Sequence, residues 1–180
     1  MADIIPAQNP SARKPLTQER LRQLLHYDPA TGVFRWAQIT SHRVSVGDVA
    51  GSIKDPTGDR PYRTIMIDGK NYRVNRLAWL YVHGGSPRFI DHKNGDTLDD
   101  RIDNLRPCTR SQNNANAKRG ARNRSGFKGV CWVTEKSKWI AQIQRSGQRY
   151  HLVYFDNPRA AHDEYMRAAR GLFGEFARAG

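Results

Sequence analysis

Apolar and polar positions along the chain follow two periods, one typical of amphipathic helices and one typical of half-buried strands. Three leucines share one face of a helix that we expect to begin near Thr17 and to end at Asp28. Residues 33–36 alternate as a strand, and turn formers at residues 68–70 predict a hairpin between two further short strands. Residues 76–83 return to the helical period. The first half of the chain is therefore predicted to mix short helices and short strands.

Two adjacent titratable residues, Asp91 and His92, follow an apolar pair at the end of a predicted strand. Neighbouring side chains on a strand point to its opposite faces. Residues 94–96 read Asn-Gly-Asp and predict a turn, because Gly tolerates a positive φ and Asn and Asp bond to their own backbone. Residues 104–108 can return as a second strand. We therefore expect a loop directly after the titratable pair.

A short helix is predicted after this return strand. Thr109 and Gln112 stand three residues apart, which is the spacing of a capping box, so the helix is expected to begin at Arg110. Asn113 and Asn116 then share one face of that helix. Strand, loop, strand and helix together would bring Asn113 close to the titratable pair.

The C-terminal part of the chain has a pattern of its own. Residues 129–132, 138–144 and 148–155 alternate and are separated by polar turns, which predicts a three-stranded antiparallel sheet. Asn157 and Pro158 are typical of a helix start. That helix can lie flat on the sheet through a face that comprises Ala160, Ala161, Tyr165, Ala168 and Ala169. The predicted fold class is α+β.

Charge points to the kind of partner. The 180 residues include 30 Lys and Arg against 17 Asp and Glu, so the formal net charge is +13. This balance is typical of a protein that binds a polyanion, with a basic surface that merely confers solubility as the alternative. No run approaches the roughly 20 apolar residues of a membrane span, and we see no signal peptide. We expect a cytoplasmic protein without a membrane partner.

Cys108 and Cys131 are isolated thiols with no C-x-x-C pair. A structural zinc site would need four soft or imidazole ligands, and the sequence offers no such set. We interpret both cysteines as small core residues.

The polar run from Asp91 reads Asp-His-x-Asn-Gly-Asp, and it is followed by Asn-Leu-Arg from Asn104 and by Thr-x-x-Gln-Asn-x-x-Asn from Thr109. In this order the three elements resemble the HNH endonucleases, in particular their phage and intron-encoded homing branch. The resemblance covers roughly residues 60–118. It implies a ββα-metal core that holds one divalent cation against a scissile phosphate of DNA.

The resemblance also implies roles for single residues. His92 would be the general base that activates water, and Asp91 and Asn113 would be the protein ligands of the metal. Asn104 would hold the loop behind the histidine. The cation would be Mg²⁺, with Mn²⁺ as the alternative, since Mg²⁺ needs few protein oxygens. No small-molecule cofactor is implied. Taken singly these residues fit an ordinary loop pair and helix caps, and their combination favours the endonuclease.

One position departs from the family pattern. The homing branch usually has His-Arg-Leu before the aromatic helix, whereas this chain has Asn75 followed by Arg-Leu. Asparagine takes up no proton, so any acid-base role of that position would be lost. The alternative function is therefore a catalytically dormant protein that binds DNA in a sequence-specific, regulatory role.

The C-terminal runs read Gly-Val-x-Trp from Gly129 and Lys-Trp-x-Ala-x-Ile from Lys138, with Phe155-Asp156 before the last helix. They resemble the DNA-binding domain of plant APETALA and ethylene-response factors, in which the exposed sheet face enters the major groove. The DNA contacts that this implies are Lys128, Trp132, Lys138, Trp139, Gln142, Gln144, Arg145 and Arg149. Because side chains alternate along a strand, only some of these can face DNA.

Four units follow from these patterns: a flexible tail at residues 1–15, a unit at 16–118 with the nuclease core, a linker at 119–128, and the DNA-binding unit at 129–180. The further DNA contacts that we expect are Arg106 and the basic residues Lys118, Arg119, Arg122 and Arg124. The partner would be double-stranded DNA, with RNA as the alternative. We expect a monomer in a bacterial or phage-infected cell, with a dimer as the alternative.

Overall fold

A computed structural model describes residues 15–58 and 60–180. Apart from Pro15, the predicted flexible tail lies outside the described residues. The helices are α1 Gln18–Leu24, α2 Val74–His83, α3 Arg110–Asn116 and α4 Pro158–Phe173. The strands are β1 Leu25–Asp28, β2 Val33–Trp36, β3 Ser52–Lys54, β4 Tyr62–Ile67, β5 Lys70–Arg73, β6 Phe89–His92, β7 Leu105–Cys108, β8 Val130–Val133, β9 Lys138–Arg145 and β10 Gln148–Phe155. Helices and small antiparallel sheets are interspersed, so the α+β prediction is confirmed.

The N-terminal helix is shorter than predicted. Thr17 caps α1 by accepting a hydrogen bond from the backbone N–H of Arg20, but the helix ends at Leu24. The following residues form β1, which pairs antiparallel with β2. Leu25 and Tyr27 are buried while the residue between them is exposed, which is the alternation of a strand. The prediction that this helix runs to Asp28 is therefore wrong.

The first hydrophobic core lies between α1, the β1–β2 hairpin, β4 and α2. Its largest fully buried side chains are Phe34, Leu21, Leu25, Ile65, Leu77 and Val74. The predicted hairpin at residues 68–70 is present as the β4–β5 turn, and α2 ends at Gly84 in the left-handed conformation. This core supports one side of the polar run that follows α2.

The polar run folds as two strands and a helix. Strands β6 and β7 are antiparallel, with Asp91 opposite Arg106 and His92 opposite Leu105. The capping box is confirmed, because Thr109 accepts from the backbone N–H of Gln112 and the Gln112 side chain accepts from the N–H of Thr109. The ββα arrangement therefore carries the titratable pair at the end of β6.

The C-terminal sheet has the order β10-β9-β8, and α4 packs on it. Asn157 caps α4 and Pro158 occupies its first turn, as predicted. The buried face of α4 consists of Ala161, Tyr165, Met166, Ala169 and Phe173, so it is larger than the predicted small-residue face, and Ala160 is exposed. The predicted sheet with one covering helix is confirmed.

Helix α3 contacts both β6 and the C-terminal unit. Ala115 on that helix belongs to the second core, together with residues from the sheet, from α4 and from the 3₁₀ turn at Gly174–Phe176. The Nζ atom of Lys128 donates to the carbonyl oxygens of Ala115, Ala117 and Arg178. The division of the chain into units at residues 119–128 stays a prediction. No helix among the described residues has the length and apolarity to cross a bilayer.

Candidate active site

The end of β6, the loop after it and α3 enclose a cleft of about 380 Å³. The cleft is lined by Asp91, His92 and Asn113, which the sequence predicted to meet, and also by Asn116. Its rim is basic, because Arg60, Lys118 and Arg119 line it as well. A titratable ring, a carboxylate and amides thus share one solvent-accessible cleft with cations at its edge.

Asp91 is only 4% exposed and is held by two partners. The Nε atom of Arg106 donates to its Oδ2 atom at 2.9 Å. The Nδ2 atom of Asn116 lies 3.0 Å from each carboxylate oxygen and 2.7 Å from the backbone oxygen of His92. Asn116 therefore fastens α3 to the end of β6, and the carboxylate has a fixed orientation.

Arg106 lies in β7 with its side chain buried in ion pairs, a placement that does not favour the predicted contact with DNA. Its side chain is 9% exposed, and a second ion pair joins its Nη1 atom to Glu175 at 3.2 Å. The guanidinium lies 3.6 Å above the ring of Phe176. The physical reason is the strand register, which places Arg106 opposite Asp91 and on the same side of the β6–β7 pair.

His92 is 8% exposed and its Nε2 atom lies 3.1 Å from Oδ1 of Asp100. Asp100 is itself 2% exposed. The backbone N–H of Gly95 donates to the backbone oxygen of His92, which closes the turn after the strand. The ring is thus oriented by one side-chain contact, and its other nitrogen, Nδ1, makes no hydrogen bond within the described residues.

Asn104 lies behind the histidine at the start of β7 and is 8% exposed. Its Oδ1 atom accepts from the N–H of Asn94 at 3.0 Å, and its Nδ2 atom donates to the backbone oxygen of Asp99 at 2.8 Å. Its backbone oxygen accepts from the N–H of Lys93. These are the contacts that a residue holding the loop at 93–99 would make.

The donor set of the cleft fits a hard divalent cation. The side-chain amide of Asn113 makes no hydrogen bond within the described residues, and Oδ1 of Asp91 accepts only from Asn116. A carboxylate and an amide oxygen suit Mg²⁺ or Mn²⁺, which keep water or phosphate oxygens in their remaining positions. In residues 15–58 and 60–180, no three His, Cys, Asp or Glu side chains cluster as a metal site.

The basic residues of the predicted linker lie in different places in the structure. Lys118 and Arg119 line the cleft, whereas Arg122 and Arg124 are exposed outside it. Lys128 is half-buried and its ammonium donates to three backbone carbonyls, so this side chain is engaged within the protein, and its contact with DNA stays a prediction. Burial, and to a lesser degree the neighbouring Arg178, lower the pKa of Lys128 to about 8.

The register of the C-terminal sheet separates the remaining predicted DNA contacts by face. Lys138, Gln142, Gln144 and Arg149 lie on the face away from α4. Trp132, Trp139 and Arg145 alternate with them and lie on the α4 side of the sheet, where Trp132 and Arg145 remain exposed, so their DNA contacts stay a prediction. Trp139 packs against the second core and stacks edge-on with Trp132 at 5.0 Å.

A larger groove of about 670 Å³ lies at the other end of α3. It is lined by Arg88, Arg110 and Arg145 together with polar and apolar side chains, and no described residue that lines it is Asp, Glu or His. It is basic and offers no group that could take a proton from water at neutral pH. The smaller cleft therefore remains the candidate active site.

The sequence patterns missed one residue that lines the cleft, Asn116, and one that lies behind it, Asp100. Asp100 is one of two adjacent aspartates in a loop, and nothing in the sequence distinguishes it from Asp99. Asn116 was placed on the same helix face as Asn113 but was given no role. The three-residue spacing of the two asparagines was the feature of the sequence from which a shared site could have been inferred.

The sequence profile of the family described as HNH endonuclease matches residues 72–115. The chain is also 33% identical over 103 residues to Protein 3.8 of Escherichia phage T7, an alignment that covers 56% of this chain and 84% of that protein. No solved structure matches the chain significantly. The residues matched by the profile include Asp91, His92, Asn104 and Asn113, and Asn116 lies directly after them.

Proposed function

We propose that this chain, which belongs to the family of phage T7 Protein 3.8 and carries an HNH endonuclease domain, is a metal-dependent endonuclease. It is of the homing type and hydrolyses a phosphodiester bond of double-stranded DNA. The observation that carries the proposal is the meeting of Asp91, His92 and Asn113 in one cleft with a basic rim. A phosphodiester in that cleft would find a base, two oxygen ligands and cations within reach.

His92 acts as the general base. Its Nε2 atom is occupied by Asp100, so Nδ1 is the nitrogen that can take a proton from water in the cleft. The water oxygen attacks the phosphorus as its proton passes to His92. The bond from phosphorus to the 3′ oxygen breaks, and the departing oxygen takes a proton from solvent. Burial of the ring at the strand end keeps it in one orientation while the bond forms.

Asp91 and Asn113 would hold the cation. Mg²⁺ or Mn²⁺ there would stabilise the negative charge that develops on the phosphate and on the leaving oxygen. Arg106 and Asn116 keep the Asp91 carboxylate in place, and Asn104 keeps the loop closed behind His92. The chain thus supplies positioning, which is the main requirement for reactions of phosphate esters.

The exposed sheet face places the enzyme on its target. Lys138, Gln142, Gln144 and Arg149 share this face, and they include amide and guanidinium groups that can bond to base edges and phosphates. A cleft that grips backbone phosphate carries little sequence information, so base contacts must specify the site. The resemblance of this unit to the APETALA and ethylene-response-factor domain supports this division of labour.

Cleavage of supercoiled phage or bacterial DNA tests the proposal. We expect nicked or linear product with Mg²⁺ or Mn²⁺, no product with EDTA, and loss of product for His92→Ala. His42→Ala is the matched control, because His42 is exposed and lies outside the cleft. Cleavage by His92→Ala at the rate of the intact chain would refute the role of the base.

The second candidate is a dormant protein that binds DNA without cutting it. Asn75, in the position where the homing branch usually has histidine, favours it. Asn75 lies in the first turn of α2 and is not among the residues that line the cleft, which limits the weight of that substitution. Salt-sensitive binding of duplex DNA without metal-dependent cleavage would establish the dormant protein, and Asn75→His would then be the next variant.

A further inference from the structure

A buried carboxylate contacts the histidine of the cleft. Oδ1 of Asp100 lies 3.1 Å from Nε2 of His92, and the two side chains are 2% and 9% exposed, respectively. The second oxygen, Oδ2, is buried and has no hydrogen-bond partner within the described part of the chain. Buried polar atoms of folded proteins are normally satisfied, so an unsatisfied carboxylate oxygen needs a reason.

The backbone at Asp100 is fixed by the N-terminal hairpin. The hydroxyl of Tyr27 donates to the backbone oxygen of Asp100 at 2.7 Å, and this contact is buried. Gly32, in the β1–β2 turn, has a φ of +73°, and a Cβ atom there would lie 2.6 Å from the backbone of Asp100 and Arg101. A segment outside the matched HNH residues thus contacts the backbone of Asp100 and holds it beside His92.

The neighbouring aspartate shows what an ordinary ion pair looks like in this loop. Asp99 accepts two hydrogen bonds of 2.7 Å from Arg101, and these bonds lower the pKa of Asp99 to about 2. Asp100 has no Lys or Arg partner among the described residues. There, the only hydrogen bond of its carboxylate is the one to the imidazole of His92. The stability of the loop therefore does not explain why a carboxylate occupies this position.

The chemistry of the imidazole ring explains why a carboxylate occupies this position. Neutral histidine carries its proton on one nitrogen and a lone pair on the other. A carboxylate only accepts, so it requires the proton to be on Nε2 and leaves the lone pair on Nδ1, the nitrogen without a partner. An asparagine in this place could turn its amide N–H toward Nε2 and select the opposite tautomer.

We propose that Asp100 is a positioning residue of the nuclease site, whose carboxylate fixes the Nε2–H tautomer of His92 and thereby turns the Nδ1 lone pair toward water in the cleft. This inference rests on the proposed function. Asp100 touches neither substrate nor metal in this scheme and acts through His92 alone.

The test joins a spectroscopic measurement with kinetics for Asp100→Asn, which keeps the shape of the side chain. Nitrogen-15 spectra of the full chain at mildly alkaline pH report the tautomer of His92 directly. We expect the wild type to be in the Nε2–H form and Asp100→Asn to shift toward the Nδ1–H form. We expect kcat for DNA cleavage to fall by about 10- to 100-fold with KM unchanged.

Asp103→Asn is the matched control, because it removes an exposed carboxylate from the same loop. It should leave the tautomer and kcat at wild-type values. A thermal melt of each variant separates a change of tautomer from partial unfolding.

A wild type with His92 in the Nδ1–H form would overturn the proposal, whatever its nuclease activity. So would an Asp100→Asn variant with wild-type tautomer and kcat, or one whose kcat falls only in proportion to its folded fraction. If the wild type cuts no DNA but the tautomer still shifts in Asp100→Asn, the endonuclease proposal fails while the positioning contact is upheld.

Discussion

The nuclease cleft and the exposed face of the C-terminal sheet present polar side chains in opposite ways. In the cleft, Asp91, His92 and Asn104 are each less than 9% exposed and each is bound by a defined partner. On the sheet, Gln144 and Arg149 are exposed, and the side chain of Arg149 makes no hydrogen bond within the described residues.

The difference matches the two tasks that we propose for these regions. Bond cleavage needs groups held in place before the substrate arrives, since reorganisation during the reaction would raise the barrier. Contact with a DNA groove needs long, solvated side chains that adapt and release counterions. Substitutions in the cleft should therefore reduce folding stability as well as activity, whereas substitutions on the sheet face should reduce DNA binding alone.

Arg106→Leu should have the largest effect on stability. It leaves the Asp91 carboxylate buried without a cation, and it removes the contact with the ring of Phe176. Breaking one side of a buried ion pair usually costs about 3–5 kcal/mol. Urea unfolding measures this change, and Arg149→Leu is the matched control on the exposed face. Equal stability of the two variants would contradict the contrast between the regions.

Asn104→Ala should have the next largest effect. The substitution leaves the backbone N–H of Asn94 and the backbone oxygen of Asp99 without their partner. The expected loss is about 1–3 kcal/mol in the free energy of unfolding, accompanied by slower cleavage because the loop behind His92 loosens. Asn71→Ala, at an exposed position of β5 outside the cleft, is the control. Loss of cleavage at unchanged stability would instead indicate a direct catalytic role for Asn104.

Sequence reasoning succeeded where one local rule determines the outcome. The capping box set the start of α3, Asn157 and Pro158 set the start of α4, and the Asp-Gly turn set the β4–β5 hairpin. These signals involve neighbours in the chain, so no tertiary information is needed to interpret them.

Sequence reasoning failed where tertiary contacts determine the outcome. The Leu24–Leu25 pair fits a helix face equally well, and only pairing with Trp36 shows that a strand begins at Leu25. An arginine in an Asn-Leu-Arg element has the chemistry of a DNA contact, yet the register of β6 and β7 buries Arg106 against Asp91. Asp100 was missed because its partner is buried, and burial is not visible in the sequence.

Lys128→Met should produce a smaller effect that depends on pH. Burial lowers the pKa of Lys128 from 10.5 in the unfolded chain to about 8 in the folded one. Between these values the unfolded chain binds more protons, so the stability of the wild type rises with pH across that window. The variant lacks this contribution. Its deficit relative to wild type should grow as pH rises through the window. The full shift corresponds to about 3 kcal/mol, and we expect on the order of 1 kcal/mol because the side chain is only half-buried and water screens part of the penalty.

Unfolding in urea at the two ends of this window measures the deficit. Lys54→Met, at an exposed position, should show no such growth. A deficit for Lys128→Met that shrinks with rising pH would mean that the charged ammonium is favoured by its three carbonyl partners more than burial disfavours it.

Arg149→Ala should have the smallest effect on stability and should nevertheless weaken DNA binding. The side chain is exposed, so the free energy of unfolding should change by no more than about 0.5 kcal/mol. If Arg149 contacts a phosphate, the slope of log affinity against log salt should fall by about one, and affinity should drop similarly for all sequences. If it contacts a base edge, discrimination at one position of the site should be lost instead. Arg145→Ala, on the α4 side of the same hairpin, should leave discrimination intact, because the sheet register turns that side chain away from the face that would enter the groove.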